Sequence, residues 1–375
     1  MKRTFLLFIL FSTVALALPM GQHPVRADGP VRVELTRKAI EEKWRTRILA
    51  FLDRGTIPMI DLLSFLPREN ATKVLRHTNQ VMDETGVALI SFAGYEASGD
   101  MKLQGYRWGY FIHEVVNQYP DRYILTTNKG GNGNWWKQKG GKPHHFIDQL
   151  EEQVRGGDYP FIGQVEFRHY MSSAQCKAGR THRDIDIPIN GKNGHRVFRL
   201  SAQTGIPFSI HLEPEDEKTA ALEEMLREYP GARVIWTHFG QIRRPEREKR
   251  FGPELVRLLL RTYPNLYFDI STGEPGRRYT CGRDILDTVI WKTAGREVQT
   301  DTLKPAYRKI LEKFSDRFVV GFDYGPPNRR SERYLRQRIE NARLIMRDLS
   351  ETANHDISYR NAWFLLTGRQ WPRER

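Results

Sequence analysis

Two histidines and an aspartate each close a short apolar run: Ile206-Pro-Phe-Ser-Ile-His211, Arg233-Val-Ile-Trp-Thr-His238 and Arg317-Phe-Val-Val-Gly-Phe-Asp323. An apolar run of that length suits a parallel strand covered on its outer face, whose last inward-pointing residue opens onto the end where connecting loops gather. Imidazole and carboxylate groups placed there can hold a metal or move protons. A fourth run adds Glu166 and Arg168, which alternate with Val165 and Phe167. In the run that ends near His211, Phe208, Ile210 and Leu212 alternate with Ser209, His211 and Glu213. Side chains on a strand point to opposite faces in turn, so the apolar row should meet helices and the polar row should point inward. Glu166, Arg168, His211, His238, Asp269 and Asp323 would then converge from five strands, although any one of them alone is as well explained by a satisfied buried hydrogen bond.

Such convergence requires a scaffold of regular units. Apolar runs occur at 57–62, 87–92, 122–127, 161–167, 207–212, 232–238, 266–270 and 318–323, and helix-like patterns fall between them and after the last. Eight strand-helix units predict a (β/α)₈ barrel, the TIM-barrel form of the α/β class, with a doubly wound open sheet as the competing architecture. A long amphipathic segment from Glu34 to Asp53 predicts an N-terminal helix. The reading divides the chain into a signal peptide at 1–27, an N-terminal helical extension at 28–56 and the barrel at 57–375.

The first division rests on Lys2 and Arg3, an apolar stretch from Thr4 to Leu18 and a polar region ending at Ala27, which together have the form of a cleaved secretory signal. The stretch is short for a bilayer span, so the mature protein is expected to be exported, periplasmic or secreted, with no stable transmembrane segment. The formal charge is +14 and stays strongly positive once Lys2, Arg3 and Arg26 are removed. Outside the cytoplasm that charge favours an anionic small-molecule or glycan substrate, and no nucleic-acid module is visible. Cys176 and Cys281 are the two cysteines. They follow the fourth and seventh strands in long insertions, where they either pair over the mouth in an oxidising compartment or stand as separate thiols.

Other segments divide between function and solvation. Lys129 to Lys142, rich in glycine with Trp135 and Trp136, reads as a lid over the mouth or as a solvated loop. Arg243 to Arg250 mixes both charge signs, as a solvated loop does, and His113, His144, His145 and His195 fall on helix-like segments where packing or surface roles are the rule.

Taken in order, Thr204 to Glu213, Val234 to Gly240, Asn265 to Ser271, Val320 to Asp323 and Ile357 to Ala362 resemble the amidohydrolase superfamily, in its amidohydrolase-related branch of metal-dependent barrel hydrolases and decarboxylases. The resemblance implies a divalent metal, usually zinc, with His211 as ligand, Asp323 as ligand or general base, and His238 as the strand-six histidine. One departure stands out. Where the family carries aspartate-x-histidine-x-histidine, this chain reads Asp61-Leu-Leu63-Ser-Phe65. Leu63 and Phe65 cannot bind metal, and they are expected to point inward as an apolar wall. The remaining metal candidates are His211, Glu166, Asp323 and His238, with Asp61 as a further carboxylate.

These readings combine into an exported hydrolase of an ester, lactone, amide or related bond. Asp323 would take a proton from water, His238 would polarise the carbonyl or assist the leaving group, and Arg168 would pair with a substrate anion. A lyase or decarboxylase on the same scaffold, and a catalytically inactive envelope barrel that binds an anionic ligand, are the alternatives.

Overall fold

The structure is a computed structural model that describes residues 33–67, 71–95, 112–130, 146–241, 251–271, 277–279, 284–286, 291–294, 297–325 and 331–372. The expected signal peptide, the Trp135-Trp136 segment, His144-His145, the Arg243 to Arg250 run and Cys281 lie outside these residues.

Eight parallel strands form the wall: β1 (Met59–Pro67), β2 (Val87–Tyr95), β3 (Tyr123–Ile124), β4 (Ile162–His169), β5 (Phe208–Leu212), β6 (Val234–Trp236), β7 (Leu266–Asp269) and β8 (Phe318–Val319). Continuous pairing of the wall strands gives β1-β2-β3 and β4-β5-β6-β7-β8, the latter carrying a short antiparallel strand, Ile185–Asp186, on the other edge of β4. Isolated parallel bridges join them at both edges. Thr126 pairs with Phe161 and Gly130 with Val165, while Asp61 pairs with Val320 and Ser64 with Tyr324. The ring is thereby closed as an α/β (β/α)₈ barrel, with two seams where the ladder is thin.

The outer helices follow the strands in turn: α2 (Ala71–Thr85), α3 (112–118), α4 (Phe146–Arg155), α5 (Lys192–Thr204), α6 (Asp216–Glu228), α7 (Pro253–Thr262), α8 (Pro305–Lys313) and α9 (Glu332–Arg347). Each is amphipathic at the helical period, and the buried stripe meets the outward row of the strands. Val165, Phe167, Phe208, Ile210 and Leu212 belong to that shared core, as the alternation predicts. Ahead of them, α1 (Arg37–Leu52) starts at Thr36, whose hydroxyl accepts the Ala39 N–H, and buries Ile40, Trp44, Ile48 and Phe51 along one face. Burial of side chains of this size contributes roughly 1.5–3 kcal/mol each. Arg47 on the same helix donates to the Ala88 carbonyl at the N-terminal end of β2. At the other end of the chain, Asn361 donates to the carbonyls of Ser315 (2.6 Å) and Phe318 (2.8 Å), fixing the entry to β8.

Leu63 and Phe65 separate from this core. With Ala93 they make a small apolar cluster of their own, whereas Leu62 and Leu66 join the main one. The first strand is therefore in the expected phase, with Leu63 and Phe65 facing inward.

Candidate active site

The ends of β6 and β7 share one hydrogen-bond network. After β6 the backbone enters the left-handed region at His238 (φ 58°) and Phe239 (φ 54°). A non-glycine residue adopts that conformation at a cost on the order of 1 kcal/mol or more. The turn gives the His238 N–H to Asp269 Oδ1 at 2.8 Å. The same oxygen accepts the Ser271 N–H at 2.9 Å and the Ser271 hydroxyl at 2.6 Å. Because the Ser271 proton is committed to the carboxylate, its oxygen must accept from His238 Nδ1, 2.9 Å away. His238 thus carries its proton on Nδ1 and its lone pair on Nε2. In a neutral ring Nε2 is then the basic nitrogen, whereas polarising the carbonyl or assisting the leaving group, the roles expected from the sequence, call for a donor.

His211 lies beside it, with ring centroids 5.0 Å apart. On its other side His169 stands at 4.8 Å. The buried His211 Nε2 makes no hydrogen bond among the described residues, and Glu213 Oε1 is its near neighbour at 3.5 Å.

Two buried aspartates flank the histidines. Burial pushes Asp269 up to about 7, against its three hydrogen bonds and with help from the nearby Asp323 charge. Asp61 is pushed to about 7 by the same cause, although Oδ1 accepts the N–H groups of Leu63 and Phe322 (both 2.9 Å) and Oδ2 accepts the Ser64 hydroxyl. Asp323 is partly buried, has φ 50°, and donates its own N–H to the Leu63 carbonyl at 2.7 Å. The structure thus gathers His211, His238, Asp269 and Asp323 at the C-terminal ends of β5 to β8.

Glu166 and Arg168 require correction. Glu166, expected as a metal ligand, accepts from Lys129 Nζ at 3.0 Å and from both terminal nitrogens of Arg183 at 2.9 and 3.0 Å. Burial opposes its ionisation, but the Arg183 guanidinium and the Lys129 ammonium hold its carboxyl far below the usual range. Arg168, expected to face the substrate, instead donates from Nε to Glu215 (2.8 Å) and from a terminal nitrogen to Asp184 (2.7 Å) and the Ile185 carbonyl (3.0 Å). The reason is a bulge: β4 pairs Glu166 with His211 but Arg168 with the very next residue, Leu212. One extra residue slips the alternation, so His169 and not Arg168 comes to lie against His211. His169 donates from Nδ1 to the Arg183 carbonyl at 2.8 Å, and burial, reinforced by Arg183, lowers it well below its ordinary value and keeps it neutral.

Lys129, His169, Arg183, Glu213 and Ser271 were not singled out by their spacing. Ser271 could have been found from the Asp-Ile-Ser run at the end of β7, whereas Lys129 and Arg183 sit in connections whose placement only the closed barrel reveals.

The residues do not fit a divalent ion. Leu63 and Phe65 offer no ligand, Glu166 is already matched by two cations, and Lys129 Nζ stands 4.4 Å over the Phe65 ring. Among the described residues no group of three His, Cys, Asp or Glu is placed to hold a metal.

A closed barrel with acid-base groups at its strand ends is a scaffold that many enzymes share, and the comparisons narrow it. The amidohydrolase family model matches residues 111–366, more than half of the 375-residue chain, and the protein belongs to the amidohydrolase family. That match begins beyond β2, so the divergent first strand lies outside it. Among solved structures, 2,6-dihydroxybenzoate decarboxylase from Rhizobium is similar at 13% identity and a TM-score of 0.48, covering 82% of this chain and 98% of the other. Dihydroxybenzoic acid decarboxylase from Polaromonas sp. JS666, which contains bound manganese, gives 13% and 0.46 over 82% and 96%. Dihydroorotase from Campylobacter jejuni gives 11% and 0.46 over 84% of each chain. No curated protein matches the chain.

Proposed function

We propose that this chain is an exported hydrolase that cleaves an ester, lactone, amide or related bond in a small anionic molecule or a glycan. The observation that carries the reading is the His238 tautomer. Asp269 orients Ser271, Ser271 accepts from Nδ1, and the neutral ring so held, beside His211, has Nε2 as its basic nitrogen. In hydrolysis that base, or the Asp323 carboxylate, takes the proton of the attacking water, and His211 lies within reach of the same reacting atoms. Zinc, the metal that the family resemblance suggests, has no step in this scheme.

Export is supported by the leader-like start and by Cys176, whose sulfur is in a disulfide; the chain's other cysteine is Cys281. Disulfides persist where the compartment is oxidising.

The test is turnover of the purified mature protein against esters, lactones, amides and aromatic carboxylates, with acid release and carbon dioxide release read separately. His238→Asn is the informative variant, because asparagine tolerates the left-handed backbone that His238 adopts. It should lower kcat by about 10²–10⁴-fold, the range of a general base. Carbon dioxide release would replace hydrolysis with a lyase reading. Anion binding without turnover, or full activity in His238→Asn, would overturn the proposal.

A further inference from the structure

The charge at the inner end of β4 raises a question that the His238 network does not answer, namely whether the fourth-strand carboxylate is open to a metal. Lys129 and Arg183 meet at Glu166, and these are side-chain cations on separate connections, after β3 and after β4. Glu166 is 1% exposed and Lys129 6%, so the ion pairs are shielded from water. The Lys129 ammonium also covers the Phe65 ring, the second of the two first-strand positions that lack a ligand. It therefore spans the gap between the first-strand positions and the fourth-strand carboxylate. An ion bound to Glu166 would have to displace it and then endure repulsion from Arg183.

We infer that Lys129 and Arg183 stand where a divalent metal would in this barrel and that the site is metal-free, the fourth-strand carboxylate Glu166 being held by the ammonium and the guanidinium. The hydrophobic substitutions of strand one and the buried lysine are then parts of one change. Phe65 gives the ammonium an aromatic face to rest on, where imidazole would compete with it for the same space. Metal binding can be measured without any substrate, so the inference is tested apart from the hydrolytic reading.

The experiment begins with elemental analysis of the full mature protein, purified without chelator, and with calorimetric titration of Zn²⁺ and Mn²⁺. The expected result is far less than one metal per chain and no saturable heat. Lys129→Met keeps the side chain's bulk and its contact with Phe65 while removing the charge. It should raise Zn²⁺ affinity by more than about tenfold, since a full charge a few ångströms from a divalent ion counts for at least that much. Stoichiometric, tight Zn²⁺ or Mn²⁺ in the wild type, lost in His211→Ala, would overturn the inference. If Lys129→Met does not fold, the wild-type metal content decides alone. A metal-free protein that turns over no substrate would sink the proposed function and leave this inference standing.

Discussion

Asp61 lies below the mouth with its carboxylate wholly enclosed and its proton affinity raised from 3.8 to about 7. The folded state therefore holds this proton at pH values where the unfolded chain has lost it. The resulting stabilisation is complete below the unfolded value and is lost as the pH rises through about 7. Asp61→Asn keeps the acceptor for the Leu63 and Phe322 N–H groups and supplies a donor toward Ser64. Melting temperatures compared from about pH 4 to about pH 8 should show the variant gaining on the wild type as the pH rises. A constant offset across that range would mean that Asp61 is already ionised in the folded protein. At this scale much of the site was legible. Histidine and aspartate at the ends of apolar runs have few other reasons to be there, so His211, His238, Asp269 and Asp323 could be read off directly. The roles were less legible, because the proton position on His238 depends on a serine and a carboxylate from the neighbouring strand.

At the scale of elements, alternation located the strands and failed where a strand is irregular. Arg168 was assigned inward by counting in twos, and the bulge after Glu166 turned it toward Asp184 and Glu215. Nothing within β4 announces the bulge, because it is defined by pairing to β5. The connection after β8 shows the opposite dependence. Gly325 has φ 114°, and a Cβ there would fall 1.6 Å from the Phe65 carbonyl oxygen. That oxygen belongs to backbone that cannot retreat without moving β1. Gly325→Ala should cost more than about 3 kcal/mol, beyond the usual range for a single substitution. Denaturant unfolding measures this, and a loss within about 1 kcal/mol would show that the β8 connection yields instead.

Across the whole molecule, the proposed export rests on the leader-like start, and the disulfide at Cys176 bears on the same question. Denatured, unreduced mature protein should contain no titratable thiol, and reduction should release two. Closing a loop of about 100 residues restricts the unfolded chain by roughly 4–5 kcal/mol, so reduction should also lower the melting temperature measurably. Two thiols before reduction would remove this support for export. The barrel itself was legible because every outer helix demands an apolar row on its strand, a regularity that repeats eight times. Its closure was not, since pairing between the first and last strands depends on residues far apart in sequence.

That closure has a mechanical side. The wall is weakest along two lines, between β3 and β4 and between β8 and β1, where only isolated bridges continue the ladder. Lys129 and Glu166 reach across the first line; Asp61 to Phe322 and Asp323 to Leu63 reach across the second. The groups poised for chemistry are thus also the stitches of the cylinder. A ligand that drew on Lys129 or Glu166 would load the first seam, tying the width of the mouth to the occupancy of the site. Loosening the site to admit a larger molecule would begin to unzip the wall.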